Sequence, residues 1–185
     1  MDDCREQLVD ELLVMDCQEG SRKAMELLVS RWQKRLWRYA LRLTGSSEAA
    51  WDVTQESWLA IVRSISRLND PARFASWAYR IVTNKANDWI EKSARVSRLP
   101  PDFDLEARRP DERQTAIVAA DLNSVLRRLS TAARTVLTLH YIEGFALADV
   151  AAILHVPQGT VKSRLHAARN ELRALWLDES KNPSR

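Results

Sequence analysis

Apolar residues recur every three or four positions along most of this sequence, which is the period of an amphipathic α-helix. In the first half the pattern predicts four helices, at about residues 4–15, 21–43, 48–68 and 72–94. Turn-forming residues interrupt the pattern at 45–47 and again at 69–71. With only four glycines in 185 residues, the chain is predicted to be all-α. Six of the seven tryptophans lie in this half, and most are expected in the core of a helical bundle.

The segment 144–175 has the pattern of a helix-turn-helix, in which two short helices are joined by a tight turn. The first helix is expected to end before Pro157, because proline cannot continue the helical hydrogen-bond ladder. Each helix has an apolar face that would pack against the other helix. These faces contain Leu147, Val150, Ala151 and Leu154 in the first helix, and Val161, Leu165, Ala168, Leu172 and Leu175 in the second.

The opposite face of the second helix is basic. It carries a row formed by Lys162, His166, Arg169 and Arg173, beside the small residues Gly159 and Ser163. Such a row is commonly only a solvated helix face. The preceding turn, the small neighbours and the single sign of charge favour a DNA-reading helix instead. Lys162, Ser163 and His166 are expected to reach base edges, and Arg169 and Arg173 to meet phosphates.

Between Ser97 and Thr115 the helical period is lost, and this stretch contains three of the six prolines of the chain. We interpret residues 98–115 as a flexible linker. It would join two small helical domains, an N-terminal bundle at 1–97 and a C-terminal helix-turn-helix domain at 116–185. A linker of this kind permits both open and packed arrangements of the domains.

Composition narrows the function classes. A formal charge of +3 and a pI of about 9.1 permit nucleic-acid binding without requiring it. The acidic N-terminus does not resemble a secretory signal, and no apolar run is long enough for membrane insertion, so we expect a cytoplasmic protein. Cys4 and Cys17 are too far apart to be presumed paired. Without metal-ligand spacing or a nucleophile–base signature, no metal, cofactor or catalytic residue is predicted, and an enzyme is disfavoured.

The third predicted helix has a polar face that suits either solvent or a protein partner. This face contains Asp52, Gln55, Glu56, Leu59 and Arg63, and the opposite face contains Trp58, Ile61, Ile65 and Leu68. The apolar side would pack into the bundle, which leaves the polar side available for docking.

The fourth predicted helix presents side chains suited to phosphates and unpaired bases. They are Arg73, Ser76, Arg80, Thr83, Asn84 and Asn87, opposite an apolar stripe of Phe74, Trp77, Ala78 and Ile81. The loop before this helix contains Arg67, Asn69 and Asp70, whose polar groups would hold a base turned out of its stack. The alternative is an ordinary turn in which Asp70 or Asn69 caps the helix.

Three segments resemble motifs of the extracytoplasmic-function family of bacterial sigma factors, in the order and at the spacing of that family. Residues 51–58, WDVTQESW, are similar to its D-x-x-Q-E-x-F segment, and residues 74–84, FASWAYRIVTN, to its F-x-x-W-L-Y-R-I-A-x-N segment. Residues 159–166, GTVKSRLH, are similar to G-T-V-K-S-R-L. The resemblance covers nearly the whole chain. It departs at Thr54, where an apolar residue is usual, and at Ala167, where the family often has a DNA-contacting arginine.

The resemblance implies a protein that directs core RNA polymerase to promoters and helps to open them. Asp52, Gln55 and Glu56 would dock on the clamp helices of the largest polymerase subunit. The melted −10 element would be read by Arg67, Asn69, Asp70, Arg73, Ser76, Arg80 and Asn84. The duplex −35 element would meet Gly159, Thr160, Lys162, Ser163, Arg164, His166 and Arg169. The resemblance also implies an anti-sigma factor, often membrane-bound, that holds the protein inactive.

A stand-alone helix-turn-helix regulator is the main alternative, with the N-terminal bundle sensing a ligand or forming a dimer. Such a regulator would not need the polar face around Gln55 or the row that contains Arg80 and Asn84. A purely structural bundle would leave the basic helix without a use. The sigma-factor interpretation accounts for all of these features.

Overall fold

The computed structural model describes residues 2–96 and 125–181, apart from the side chains of 2–4, 96 and 177–181. The first part contains α1 (Asp2–Gln18), α2 (Arg22–Thr44), α3 (Ser47–Ser64) and α4 (Phe74–Val96), with the 3₁₀ turns Ile65–Arg67 and Pro71–Arg73 between α3 and α4. The second contains α5 (Thr131–Leu137), the π-helical segment Thr138–Ile142, α6 (Leu147–Leu154) and α7 (Gln158–Lys181). The predicted all-α fold of two helical domains is confirmed. The predicted linker lies outside the described residues.

The connection between α2 and α3 is fixed by its residue types. Gly45 has a φ of 74°, a left-handed conformation that glycine adopts without strain, and its N–H donates to the Leu41 carbonyl at 2.8 Å. The Ser46 hydroxyl then accepts from the Ala49 N–H at 3.3 Å and begins α3. The break predicted at 45–47 is confirmed, and it turns α3 back against α2.

α2 is the central helix of the N-terminal core, where it packs against α1, α3 and α4. Leu28, Leu36 and Tyr39 on α2 are fully buried. The Tyr39 ring lies 4.8 Å from the ring of Tyr79 on α4, and the Tyr39 hydroxyl lies 2.7 Å from the Thr83 hydroxyl oxygen. This buried contact fixes the rotation of α4 about its own axis, and so determines which α4 residues face solvent.

The tryptophans are less buried than the sequence suggested. Trp32 and Trp58 are core residues, whereas Trp37, Trp77 and Trp89 are half-buried and Trp51 is exposed. The expectation that most of them are core residues is therefore wrong. Indole is large enough that one edge commonly remains at the surface even when the other packs against apolar neighbours.

The helix-turn-helix forms as predicted, although the turn is made differently. α6 ends at Leu154, and His155 follows in a left-handed conformation with a φ of 55°. The Val156 N–H donates back to the Ala151 carbonyl at 3.0 Å. Pro157 lies just before α7, and its carbonyl accepts from Thr160 at 2.9 Å. His155 thus ends the first helix, while Pro157 begins the second.

The two domains pack directly against each other, and their buried residues form one continuous cluster. α6 lies against α4, and the Phe145 ring meets the Tyr79 ring edge-on at 4.9 Å. The Arg134 guanidinium donates at 2.7 Å to the Leu43 carbonyl, one of the free acceptors at the end of α2. We call this packing the closed arrangement. Ile153, absent from the predicted apolar face of α6, is also buried.

Candidate functional site

The exposed side of α3 forms the first candidate surface, which we call the α3 surface. It consists of Asp52, Gln55, Glu56, Leu59 and Val62, all solvent-exposed. On the other side, Trp58, Ile61 and Ile65 are buried as predicted, whereas Leu68 is only half-buried. Val53 and Ser57, which were not in the predicted set, are buried as well. The Glu56 carboxylate forms an ion pair with the Lys85 ammonium of α4 at 3.1 Å. The surface therefore combines polar groups with two exposed apolar side chains.

Thr54, one of the two departures from the family pattern, does not belong to this surface. Its side chain is buried, and its hydroxyl donates to the Ala50 carbonyl of its own helix at 2.6 Å. Because the hydroxyl is satisfied locally, threonine replaces an apolar residue without leaving an unpaired buried group.

The loop between α3 and α4 forms the second candidate surface, which we call the loop cleft. It is an open cleft of about 440 Å³ lined by Arg67, Leu68, Asn69, Asp70, Arg73 and Trp77. Asp70 holds the loop together: one carboxylate oxygen accepts from the Ala72 N–H at 3.1 Å and the other from Arg73 Nε at 3.2 Å. Asp70 thus has the capping role that the sequence left as an alternative, and it shapes the cleft it lines.

Gln18, at the end of α1, holds the same loop from the opposite side. Its side-chain amide donates to the Ile65 carbonyl at 3.0 Å and to the Leu68 carbonyl at 2.7 Å. These two carbonyls are more than forty residues away in sequence. No local pattern could have identified Gln18, since only the packing of α1 brings it to this loop.

The exposed row on α4 continues from the loop cleft. Arg73, Arg80 and Asn84 are exposed, and Ser76 between them is half-buried. Thr83 was expected in this row, but it is buried against the Tyr39 hydroxyl. Trp77 and Ile81, which were expected in the buried stripe, are only half-buried. The contact between Tyr39 and Thr83 rotates α4 so that Thr83 faces the core, and it leaves part of the Trp77 ring exposed at the loop cleft.

The exposed face of α7 forms the third candidate surface. Gly159, Lys162, Ser163, Arg164, His166 and Arg169 are exposed, and Thr160 is half-buried. Val161, Leu165 and Ala168 are buried beneath them. The Ser163 hydroxyl donates to the Thr160 carbonyl at 3.0 Å, and His166 Nε2 lies 3.2 Å from Asn170 Nδ2. Nothing in the closed arrangement covers this face among the described residues.

A buried polar cluster joins the two domains, and sequence analysis did not find it. The Glu143 side chain, 7% exposed, accepts from Arg42 at 2.8 Å and from the Tyr79 hydroxyl, and Arg35 lies 3.9 Å away. Burial and the neighbouring Glu143 charge raise the pKa of the Tyr79 phenol, so that it stays protonated and donates. Glu143 is the first residue after the π-helical segment, which gave no sequence signal.

Within the described residues, no group of histidine, cysteine, aspartate and glutamate side chains has the arrangement of a metal site. Cys17 is a free buried thiol whose pKa is raised by burial and by Asp16. Among the same residues no helix is both long and apolar enough to cross a bilayer.

Comparison with known proteins finds a family model that matches each of the two helical domains. The family models for Sigma-70 region 2 and Sigma-70 region 4 match residues 28–96 and 119–172. An ECF RNA polymerase sigma-E factor of Haemophilus influenzae is 32% identical over 180 residues, which cover 89% of this chain and 93% of the relative. The chain belongs to the extracytoplasmic-function family of sigma factors. The sigma-E factor of Escherichia coli K12 is 28% identical to this sigma factor, over 90% of its chain and 94% of the relative.

Solved structures share the fold of this sigma factor. CnrH, solved in complex with the cytosolic domain of CnrY, is 26% identical with a TM-score of 0.69, covering 92% of this chain and 99% of that one. The sigma factor RpoE of Bartonella quintana was solved in complex with the anti-sigma factor NepR. It has a TM-score of 0.69, covering 83% of this chain and 97% of that one, and its sequence identity of 24% shows a similar fold alone. The family prediction is confirmed: the protein is a transcription initiation factor that directs core RNA polymerase to promoters.

Proposed function

We propose that this sigma factor binds polymerase and promoter DNA through the three surfaces described above. One surface would bind core polymerase, and the other two would each bind a separate element of the promoter. The observation that carries the proposal is that the polar residues of all three surfaces are exposed or half-buried, while apolar residues of α3, α4 and α7 lie buried beneath them. A surface held by a packed core keeps its side chains in place for binding.

The loop cleft and the α4 row would hold the melted −10 element. A base turned out of the stack would enter the loop cleft between the polar groups of Asn69 and the half-buried ring of Trp77. Arg73 and Arg80 would meet phosphates, while Ser76 and Asn84 would bond to base edges. Because these contacts require unpaired bases, they favour the open duplex over the closed one.

The α7 face would read the −35 element in the major groove. Lys162, Ser163 and His166 lie in the N-terminal half of α7, the part of a recognition helix that meets base edges. Thr160, Arg164 and Arg169 flank them and would contact the backbone, and Gly159 permits close approach. Ala167 is exposed and too short to replace the arginine common in the family.

The α3 surface would dock on the clamp helices of core polymerase, with Asp52, Gln55 and Glu56 as polar contacts. Leu59 and Val62, 56% and 51% exposed, would supply the apolar part of that interface. The partner would need an apolar strip bordered by basic groups. Lys85 would have to share or release Glu56 when polymerase binds.

We further propose that an anti-sigma factor holds this protein inactive in the cytoplasm, where the polymerase acts. The support is the likeness to CnrH, which was solved with the cytosolic domain of CnrY. In this proposal the sigma factor has no covalent chemistry of its own: it recruits polymerase and stabilises separated strands.

Binding to core polymerase separates this proposal from a stand-alone regulator. We expect the full chain to bind core polymerase in the absence of DNA, and the double variant Asp52→Ala/Glu56→Ala to bind at least about tenfold more weakly, or about 1.4 kcal/mol. The matched control is Glu19→Ala/Glu26→Ala, which removes two exposed acids, one in the turn after α1 and one on α2. Unimpaired binding by the first double variant would remove the α3 surface from the interface. No binding by the wild-type chain would favour the stand-alone regulator.

A further inference from the structure

A basic groove runs along α2, and none of the residues of the three surfaces lines it. We define the groove by Arg31, Lys34, Arg35, Arg38 and Arg42, which line a cleft of about 420 Å³ together with Ile142 and Glu143. At 3.6 residues per turn these five side chains share one face of α2, and they extend along about 16 Å of it. That length is enough to follow several phosphates of one strand.

The positive charge of the groove is only partly balanced. Arg31 pairs with Asp10 of α1 at 2.8 Å, and Arg42 pairs with Glu143 at 2.8 Å. Lys34 and Arg38 have neither a hydrogen bond nor an ion pair among the described residues. Glu143 is the one acidic side chain that lines the groove within the described part of the chain.

Glu143 belongs to the C-terminal domain, so it stays in the groove only while the domains are closed. The −10 and −35 elements lie about 25 base pairs apart, or roughly 85 Å at 3.4 Å per base pair. A compact chain of this length has a radius of gyration of about 16 Å and a diameter of about 40 Å. The closed arrangement therefore cannot reach both elements together. When the domains separate on a promoter, Glu143 leaves the groove and Arg42 loses its partner.

We infer that the basic groove is a binding surface for the DNA phosphate backbone, and that Glu143 occupies one end of it in the closed arrangement. The inference rests on the proposed function, because it concerns promoter complexes. The groove is continuous with the proposed −10 contacts, which favours DNA as its occupant. Arg35 lines the groove and also a neighbouring cleft that contains Arg73 and Ser76 of the α4 row. A strand held by the loop cleft and the α4 row would thus pass directly to the groove.

The acids of α1 limit the path of the strand. Glu6, Asp10 and Glu11 line the neighbouring cleft together with Arg35; Glu6 and Glu11 would repel phosphates there, whereas Asp10 is paired with Arg31 at 2.8 Å. These acids leave the α2 side, along Arg35 and Arg38, as the favourable route for a polyanion.

The test uses holoenzyme assembled from core polymerase and the full chain, bound to a promoter fragment at several salt concentrations. The double variant Lys34→Ala/Arg38→Ala is compared with Arg22→Ala/Lys23→Ala, which removes the same charge from exposed positions at the start of α2. If both side chains neutralise phosphates, the slope of log K against log salt falls by about 1.4 to 1.8 for the first variant. The control slope stays unchanged. Thermal unfolding of both variants checks that each is folded.

Equal slopes for the two variants would overturn the inference and leave the proposed function standing. Weaker binding of the first variant to core polymerase without DNA would also overturn it, because the groove would then be a contact for an acidic protein surface. Failure of the wild-type chain to direct initiation would be a failure of the proposed function itself.

Discussion

Some of the candidate DNA-binding side chains already form hydrogen bonds within the protein, and others do not. Both carboxylate oxygens of Asp70 are used within the loop. Arg80, Asn84 and Lys162, in contrast, are exposed and have no hydrogen-bond partner among the described residues. Substitution of the second group breaks no contact within the described residues, so it tests the proposed DNA binding without disturbing the fold.

Lys162→Ala is expected to weaken promoter binding, and if the Lys162 ammonium also neutralises a phosphate beside the base edge it reads, the salt slope falls by about 0.9. The measurement is the affinity for a promoter fragment between low and moderate salt. Lys23→Ala, exposed in the other domain, provides the control. An unchanged slope for Lys162→Ala would remove this residue from the backbone contacts.

Asn84→Ala is expected to impair strand opening more than closed-complex binding. Loss of one hydrogen bond to an unpaired base costs about 1 kcal/mol, or about fivefold in the opening equilibrium. Permanganate reactivity of thymines in the −10 region measures opening, and a gel-shift at low temperature measures closed binding. Asp88→Ala, exposed one turn further along α4, is the control. Normal permanganate reactivity would contradict the assigned role.

Gln18→Ala is expected to loosen the loop cleft, because the Ile65 and Leu68 carbonyls lose their donor. Opening of the −10 region should fall several-fold while binding to core polymerase is retained, since α3 keeps its own packing. Gln7→Ala is the matched control, because Gln7 on the same helix donates only to the exposed Glu11. If Gln18→Ala opens promoters as well as the control does, the loop does not depend on this side chain.

At the scale of elements, α7 depends on the buried residues beneath its basic face. Leu165→Ala removes a side chain that is 5% exposed and is expected to cost about 2 to 5 kcal/mol in the free energy of unfolding. Chemical denaturation measures this cost. Leu27→Ala, at a leucine that is 48% exposed, should change stability by much less. Similar effects of the two substitutions would mean that α7 does not rely on this packing.

The apolar period predicted α1 to α4 and the helix-turn-helix, with most of their buried faces, because burial on one side of a helix requires residues at that spacing. α5 (Thr131–Leu137) was not predicted. The period did not predict the rotation of α4, which the contact between Tyr39 and Thr83 determines. It also missed the π-helical segment before Glu143 and the left-handed His155. These features depend on neighbours distant in sequence or on a single residue conformation, and neither leaves a periodic signal.

At the scale of the whole molecule, sequence left the domain arrangement open, and the structure has the domains closed. Glu143, Phe145 and Arg134 make the contacts across the interface. No pattern within either domain identifies these residues, because each acts only when the other domain is present. The three surfaces could be assigned from motifs, whereas the interface could not.

The domains are expected to separate when the sigma factor joins polymerase on a promoter. Labels at Ser66→Cys and Ala174→Cys, both exposed, in a Cys4→Ser background would report the distance between the loop after α3 and the basic helix α7. The distance should increase by tens of ångströms on promoter binding, because the elements lie roughly 85 Å apart. Glu143→Gln should shift the free chain toward the longer distance by weakening the interface. A distance unchanged on promoter binding would contradict the requirement for opening.

The central claim is that this chain gives core polymerase its promoter specificity, and transcription in vitro from a library of DNA fragments tests it most directly. With the chain present, core polymerase should initiate at a new set of sites that share two elements, upstream of the start at the −10 and −35 positions. Weaker initiation at those sites with Asn84→Ala and with Lys162→Ala would link each element to its surface. Intact DNA binding without any new initiation site would contradict the claim.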